Sequence, residues 1–291
     1  MSNHDPCVPA GGDGAQGRRI AFVLGGGGHM GAAEVGMLRA LLEHGVMPDV
    51  VVGTSVGALN GVAVAADPTV ESVDRLASAW TRLVEDGVFA DSVLNRVANL
   101  VRTRTALHSN ETLRALIEEL LPVQTFEELA IPFQCVAACI ERAAEQWFSE
   151  GPITDAVLAS AAVPGILPPV EIGGEHYLDG GIVHSIPIER AIELGATELY
   201  VLHVGRIEQP LESPKNIWEV ATVAFEIARR HRFVKEIAEL PDDVVAHVLP
   251  TGDLNPPRAS DLSQLRYSNF RDVGARIERA HDATAEYLRS R

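Results

Sequence analysis

Aromatic residues are scarce in this chain: Phe, Trp and Tyr together make up 5% of 291 residues, so its core must rest on aliphatic packing. Cysteine is scarcer, with three in all. Cys7 stands in a Gly-rich tail, while Cys135 and Cys139 share one face of the apolar run PFQCVAACI and read as small buried hydrophobes. Three cysteines without ligand spacing provide neither a disulfide framework nor a zinc site, and they fit a reducing compartment. Positive charge is short as well, with 24 Lys and Arg against 40 Asp and Glu and a formal net charge of -16. Nucleic-acid binding needs a basic surface that displaces counterions, so this balance argues against it. No apolar stretch approaches the length of a membrane span, and MSNHDPCVPAGGDGAQGRR lacks the apolar centre of a signal peptide. The expectation is a soluble cytoplasmic protein, with residues 1–17 a loose tail and residues 18–291 one domain ending in a helical extension.

What is present is a regular alternation. RRIAFVL is a short apolar run, GGGG punctuates it, and the following segment repeats Val35, Leu38, Leu41 and Leu42 at helical spacing before Gly45. DVVVGTS is a second buried strand that leads directly into the helical SVGALNGVAVAAD. A strand, crossover helix and strand in this order imply a parallel sheet with helices on its faces. From Pro68 to Leu129 the pattern is mostly helical, with Asn110 as an N-cap before ETLRALIEELL and Thr125 before FEEL at capping-box spacing to Glu128. PFQCVAACI and EQWFSEG pair as strands, and PPVEIGGEHYLDGG forms a hairpin turning at Gly173 and Gly174. IPIERAIELG is a helix ended by Gly195, followed by the strand TELYVLHVG; NIWEVATVAFEIARRHRFVKEIAEL and FRDVGARIERAHDATAEYL are helical, with DVVAHVL a strand between them. The one basic patch sets Arg96, Arg102 and Arg104 among Val93, Leu94, Val97, Leu100 and Val101. It reads as an amphipathic helix with a solvated face, or as a lid or membrane contact.

Gly53-Thr54-Ser55-Val56-Gly57 lies where a buried strand becomes a helix. This is G-x-S-x-G, in which a strained turn pushes one hydroxyl outward and flanking side chains would clash. A tight turn N-capped by Ser55 is the plainer alternative. Gly25-Gly26-Gly27-Gly28 offers unhindered amides at a helix N-terminus, suited to developing negative charge. Gly26, Gly28 and Gly31 also satisfy the dinucleotide pattern G-x-G-x-x-G, but the second strand ends in Gly53-Thr54-Ser55, where that reading needs an acid. A nucleophilic Ser55 requires a base. Asp179, in Leu178-Asp179-Gly180-Gly181, is one candidate; His203, after TELYVL, is another, standing between the serine and an acid.

The blocks GGGGHMGAAEVGMLRAL, GTSVGALNG, ASAAVPGILPPV and YLDGG, in this order, resemble the patatin-like phospholipases over residues 18–205. The resemblance implies a three-layer α/β/α fold with a mostly parallel central sheet. It also implies a Ser-Asp dyad without catalytic histidine: Ser55 as nucleophile, Asp179 as base, and Gly26, Gly27 and Gly28 as oxyanion hole. The implied activity is that of a phospholipase A or carboxylesterase acting on phospholipids or other acyl esters, through an acyl-serine intermediate and with no cofactor or metal at the dyad. Peripheral membrane contact goes with such substrates. Ala159-Ser160-Ala161-Ala162 with Pro164 matches a family helix and turn beside the site and is taken as scaffold. One position departs from the family pattern: Met30 stands where a basic residue is usual, with His29 beside it. The alternative it raises is a catalytically weakened protein of the same fold that binds lipids or partners.

Overall fold

The computed structural model describes residues 17–85, 109–204, 211, 213–214, 217–253 and 273–291. Five strands run parallel, from pairings of β1 (Ile20–Leu24) with β2 (Val50–Thr54) and β7 (Glu198–Leu202), β2 with β3 (Phe133–Cys139), and β7 with β8 (Val245–Val248). Three antiparallel strands complete the sheet: β4 (Ala144–Phe148) and β6 (Glu175–Asp179) on β3, and β5 (Val170–Ile172) on β6. Gly173 and Gly174, at φ 63° and 86°, make the two-residue hairpin turn between β5 and β6 that those angles require.

Side chains alternate across the sheet and divide the core into two layers. Phe22, Leu24, Val51, Cys135, Ala137 and Leu202 face α1 (Ala32–Glu43), α2 (Val56–Ala66), α3 (Val70–Glu85), α4 (Glu111–Leu120) and α5 (Ile153–Ser160). Ala21, Val23, Val50, Val52, Leu199 and Val201 face α6 (Ile188–Glu193) and Phe233 of α7 (Ile217–Ala238). Strands covered on both faces read as continuous apolar runs, which is why RRIAFVL and DVVVG carry no polar alternation. The three-layer α/β/α expectation therefore holds. Cys135 and Cys139 are free and buried in the first of these layers, and burial raises the Cys135 thiol further from ionisation.

The C-terminal helix α8 (Val273–Arg289) lies on α1 so closely that a β-carbon on Gly36 would sit 2.0 Å from the Ile277 carbonyl oxygen. Its role is to extend the helical layer over α1. One expected cap differs: the Asn110 side chain makes no cap, and Ser109 Oγ accepts from the Glu111 amide at 3.2 Å instead. Asn110 has helical dihedrals, so its side chain is not placed as an N-cap's is. Thr125 and Glu128 do meet, the Thr125 amide donating to Glu128 at 3.1 Å. Among the described residues, no helix is long and apolar enough to cross a membrane. Arg96, Arg102 and Arg104 lie outside the described residues, as do residues 1–16.

Candidate active site

The strand register explains how distant residues meet. β2 occupies one edge of β3 as far as Thr54, opposite Val136, and β6 arrives antiparallel along the same edge with Asp179 opposite Ala137, the next residue. β4 fills the other edge of β3 over Cys135–Cys139, so β2 and β6 meet tip to tip. Ser55, directly after Thr54, is thereby brought to Asp179, 124 positions away, and its hydroxyl donates to Asp179 Oδ2 at 2.6 Å.

Ser55 sits at φ 57°, ψ -123°, a conformation that L side chains rarely adopt and that costs about 1 to 3 kcal/mol. The neighbouring glycines are fixed by close approach. A β-carbon on Gly53 would lie 2.5 Å from the Gly57 carbonyl oxygen, and one on Gly57 2.5 Å from that of Leu24. Both glycines are therefore needed to close the turn from β2 into α2 and to pack it against β1. The Ser55 amide donates to Ser160 Oγ at 2.9 Å, and the Asp179 amide donates to the Ala162 carbonyl at 2.9 Å. The segment from Ser160 to Ala162, a scaffold block in the sequence reading, braces both residues at once.

Ser55 and Asp179 are each 6% exposed. Burial pushes the Asp179 carboxyl up to about 6, although hydrogen bonds from the Ser55 hydroxyl and the Gly181 amide pull the other way. The latter reaches Oδ1 at 2.7 Å. His203 stands elsewhere: its ring lies 5.7 Å from that of Phe233, and burial, with Arg229 near it, pushes the imidazole down to about 3. The Ser55 hydroxyl bonds to Asp179, not to His203.

The glycine loop after β1 divides in two. Gly25 donates to the Leu202 carbonyl at 2.9 Å and Gly26 to that of Ser185 at 2.8 Å, so the Gly26 amide, expected to be an anion donor, is already engaged. The loop before α6, which carries Ser185, holds it as an anchor. Gly27 and Gly28 have no such bond among the described residues. A β-carbon on Gly27 would meet Val204 Cγ2 at 2.0 Å, and Gly28 has φ 58°, so neither position takes a larger residue without strain. The first amides of α2, starting at Val56, lie at the positive end of that helix. Met30 is buried in the core, while the side chain of His29 lies outside those described.

A network under the loop escaped the sequence reading. Asn60 Nδ2 lies 3.0 Å from the Gly31 carbonyl and 2.8 Å from Glu34 Oε2, and Asn60 Oδ1 accepts from Trp80 Nε1 at 3.0 Å. Glu34 is fully buried, which holds its carboxyl well above the ordinary range. The available signal was a lone acid in the apolar stretch GAAEVGML and a lone amide in VGALNGVAV.

A model of the family described as patatin-like phospholipase matches residues 22–192. Patatin-like phospholipase domain-containing protein ZK370.4 of Caenorhabditis elegans is 33% identical over 195 residues, 66% of this chain and 14% of that protein. Patatin-like phospholipase domain-containing protein 7 of Rattus norvegicus is 30% identical over 191 residues, 65% of this chain and again 14% of the relative. The chain thus aligns with a small part of these relatives' length. Among solved structures, VipD from Legionella pneumophila superposes with a TM-score of 0.48 at 14% identity, covering 94% of this chain and 67% of that one.

Proposed function

The chain belongs to the patatin-like phospholipase family, and from that premise we propose that it is a lipid acyl hydrolase, of phospholipase A or carboxylesterase type, with Ser55 as nucleophile and Asp179 as base. The observation that carries this reading is the 2.6 Å bond from the Ser55 hydroxyl to a buried carboxylate. A base serves best when its pKa lies near the working pH, and burial brings the Asp179 carboxyl to about 6.

In the proposed cycle Ser55 Oγ attacks the ester carbonyl as its proton passes to Asp179 Oδ2. The amides of Gly27 and Gly28, with the N-terminus of α2, stabilise the oxyanion, each donor contributing about 3 to 4 kcal/mol at the transition state. Collapse expels the alcohol, which takes the proton from Asp179 and leaves acyl-Ser55. Water then gives a proton to Asp179 as it attacks the acyl carbonyl, and the second collapse returns that proton to Ser55 and frees the acid. Peripheral contact with a membrane belongs to the same proposal, since the substrate class resides there.

The test is to incubate the protein with a fluorophosphonate and with p-nitrophenyl esters of graded chain length. Wild type should be labelled and turn over, with Ser55→Ala inert to both and Asp179→Asn severely slowed. Folded wild type that does neither would instead be a lipid-binding member of the fold, and undiminished turnover by Asp179→Asn would redirect attention to a histidine base.

A further inference from the structure

His184 lies four residues beyond the Asp179-Gly180 turn, and it is 9% exposed. Its Nε2 is 2.5 Å from Glu145 Oε2. An ionised carboxylate only accepts, so Nε2 carries the hydrogen, and in the neutral ring Nδ1 is left with the lone pair. That Nδ1 is buried and has no hydrogen-bond partner. Glu236, on α7, has both carboxylate oxygens buried and likewise without a partner. With Glu189 of α6 these residues bring one ligating atom each to within 4.8 Å of one another.

We propose that His184, Glu189 and Glu236 bind one divalent transition-metal cation of the zinc class. A histidine whose far nitrogen donates to a carboxylate is the arrangement that orients imidazole for a metal, and Glu145 supplies that carboxylate. One imidazole and two carboxylates, with no thiolate, suit zinc and its neighbours better than calcium or magnesium, which take oxygen alone. Metal bonds of about 2.0 to 2.2 Å set tetrahedral ligand atoms about 3.4 Å apart, so the three groups need to draw in by about 1 Å. Rotation of Glu189, which is exposed, and of the Glu236 carboxylate supplies that movement.

The site is tied to Ser55 through the backbone. The His184 carbonyl accepts from Thr54 Oγ1 at 2.7 Å, and the Ser185 carbonyl accepts from the Gly26 amide at 2.8 Å. A cation fixing His184 would stiffen the peptide that anchors both the turn at Ser55 and the glycine loop, without touching Ser55 or Asp179.

The test uses the full chain, stripped with EDTA, titrated with Zn2+ by calorimetry and with Co2+ by visible absorption. Wild type should bind one equivalent, with Co2+ d-d bands and no thiolate charge-transfer band, and Mg2+ or Ca2+ should not compete. Glu189→Gln, at an exposed position, should weaken binding by at least about tenfold with the far-UV spectrum unchanged. Glu236→Gln and His184→Gln should abolish the bands. The proposal is overturned if folded wild type shows no saturable Zn2+ binding, if Glu189→Gln and Glu236→Gln bind as wild type does, or if a thiolate band assigns the metal to cysteine.

Discussion

Replacing Asp179 by Asn should slow turnover severely and at the same time stabilise the protein, by an amount that depends on pH. The folded carboxyl titrates at about 6 and its ordinary value is 3.8. Each unit of difference is worth about 1.4 kcal/mol, so ionised Asp179 opposes folding by about 3 kcal/mol at pH 7 and above. The sign follows from proton binding: between the two values the folded state holds the proton more tightly, so wild-type stability is fully present below pH 4 and is lost as pH rises through 6. Asn keeps the shape and the acceptor for the Gly181 amide, and it carries no charge to bury. Its NH2 must replace the bond that Ser55 now donates, which takes back part of the gain. Guanidinium melts of both proteins at pH 4, 5, 6, 7 and 8 measure the effect. Asp179→Asn should be close to wild type at pH 4 and more stable by about 1 to 3 kcal/mol at pH 8. A difference that does not vary with pH, or a variant less stable at pH 8, would refute the reasoning.

The same carboxyl sets the pH profile: kcat/KM toward a p-nitrophenyl ester should rise with pH around a midpoint of about 6 and then stay level, as Asp179 loses its proton. A profile that falls across that range contradicts Asp179 as base. Ser160→Ala should leave the Ser55 amide buried and unpaired, which lowers stability by about 1 to 3 kcal/mol and reduces kcat more than it raises KM. Denaturant melts with steady-state kinetics check both effects, and an unchanged kcat would make Ser160 mere packing. Gly57→Ala meets the rigid Leu24 backbone at 2.5 Å, so it should lower stability by about 2 to 4 kcal/mol in chemical denaturation, with native-like stability the contrary result.

Much of this fold can be read from runs of residues, because strands buried on both faces are apolar throughout and glycine marks where they stop. The five parallel strands, the β5-β6 hairpin and the turn at Ser55 all carry such local signals. What escaped depends on partners remote in the chain. The Gly26 amide is spent on Ser185 and the Ser55 amide on Ser160, and nothing within GGGG or ASAAVPG announces either bond. Asn110 and Ser109 are both capping residue types, and only the dihedral angles decide between them. The cluster of His184, Glu189 and Glu236 carries no local signal for a related reason: Glu236 joins the other two across the fold, and no ligand spacing in the sequence links them.

The strain at Ser55 persists because its surroundings leave it no alternative. Relaxing φ 57° would require the turn to move, but Gly53 and Gly57 are already in contact with backbone on both sides. The Ser55 amide is held by Ser160, and its hydroxyl is held by a carboxylate that β3 positions one residue along the same edge that carries Thr54. A strain of about 1 to 3 kcal/mol is then comparable to the buried hydrogen bonds that would be lost by releasing it. The hydroxyl and carboxylate are therefore in contact before any ester arrives. In the proposed cycle the chemical step spends no free energy in assembling them, and the sheet register, rather than a flexible loop, fixes the distance between them.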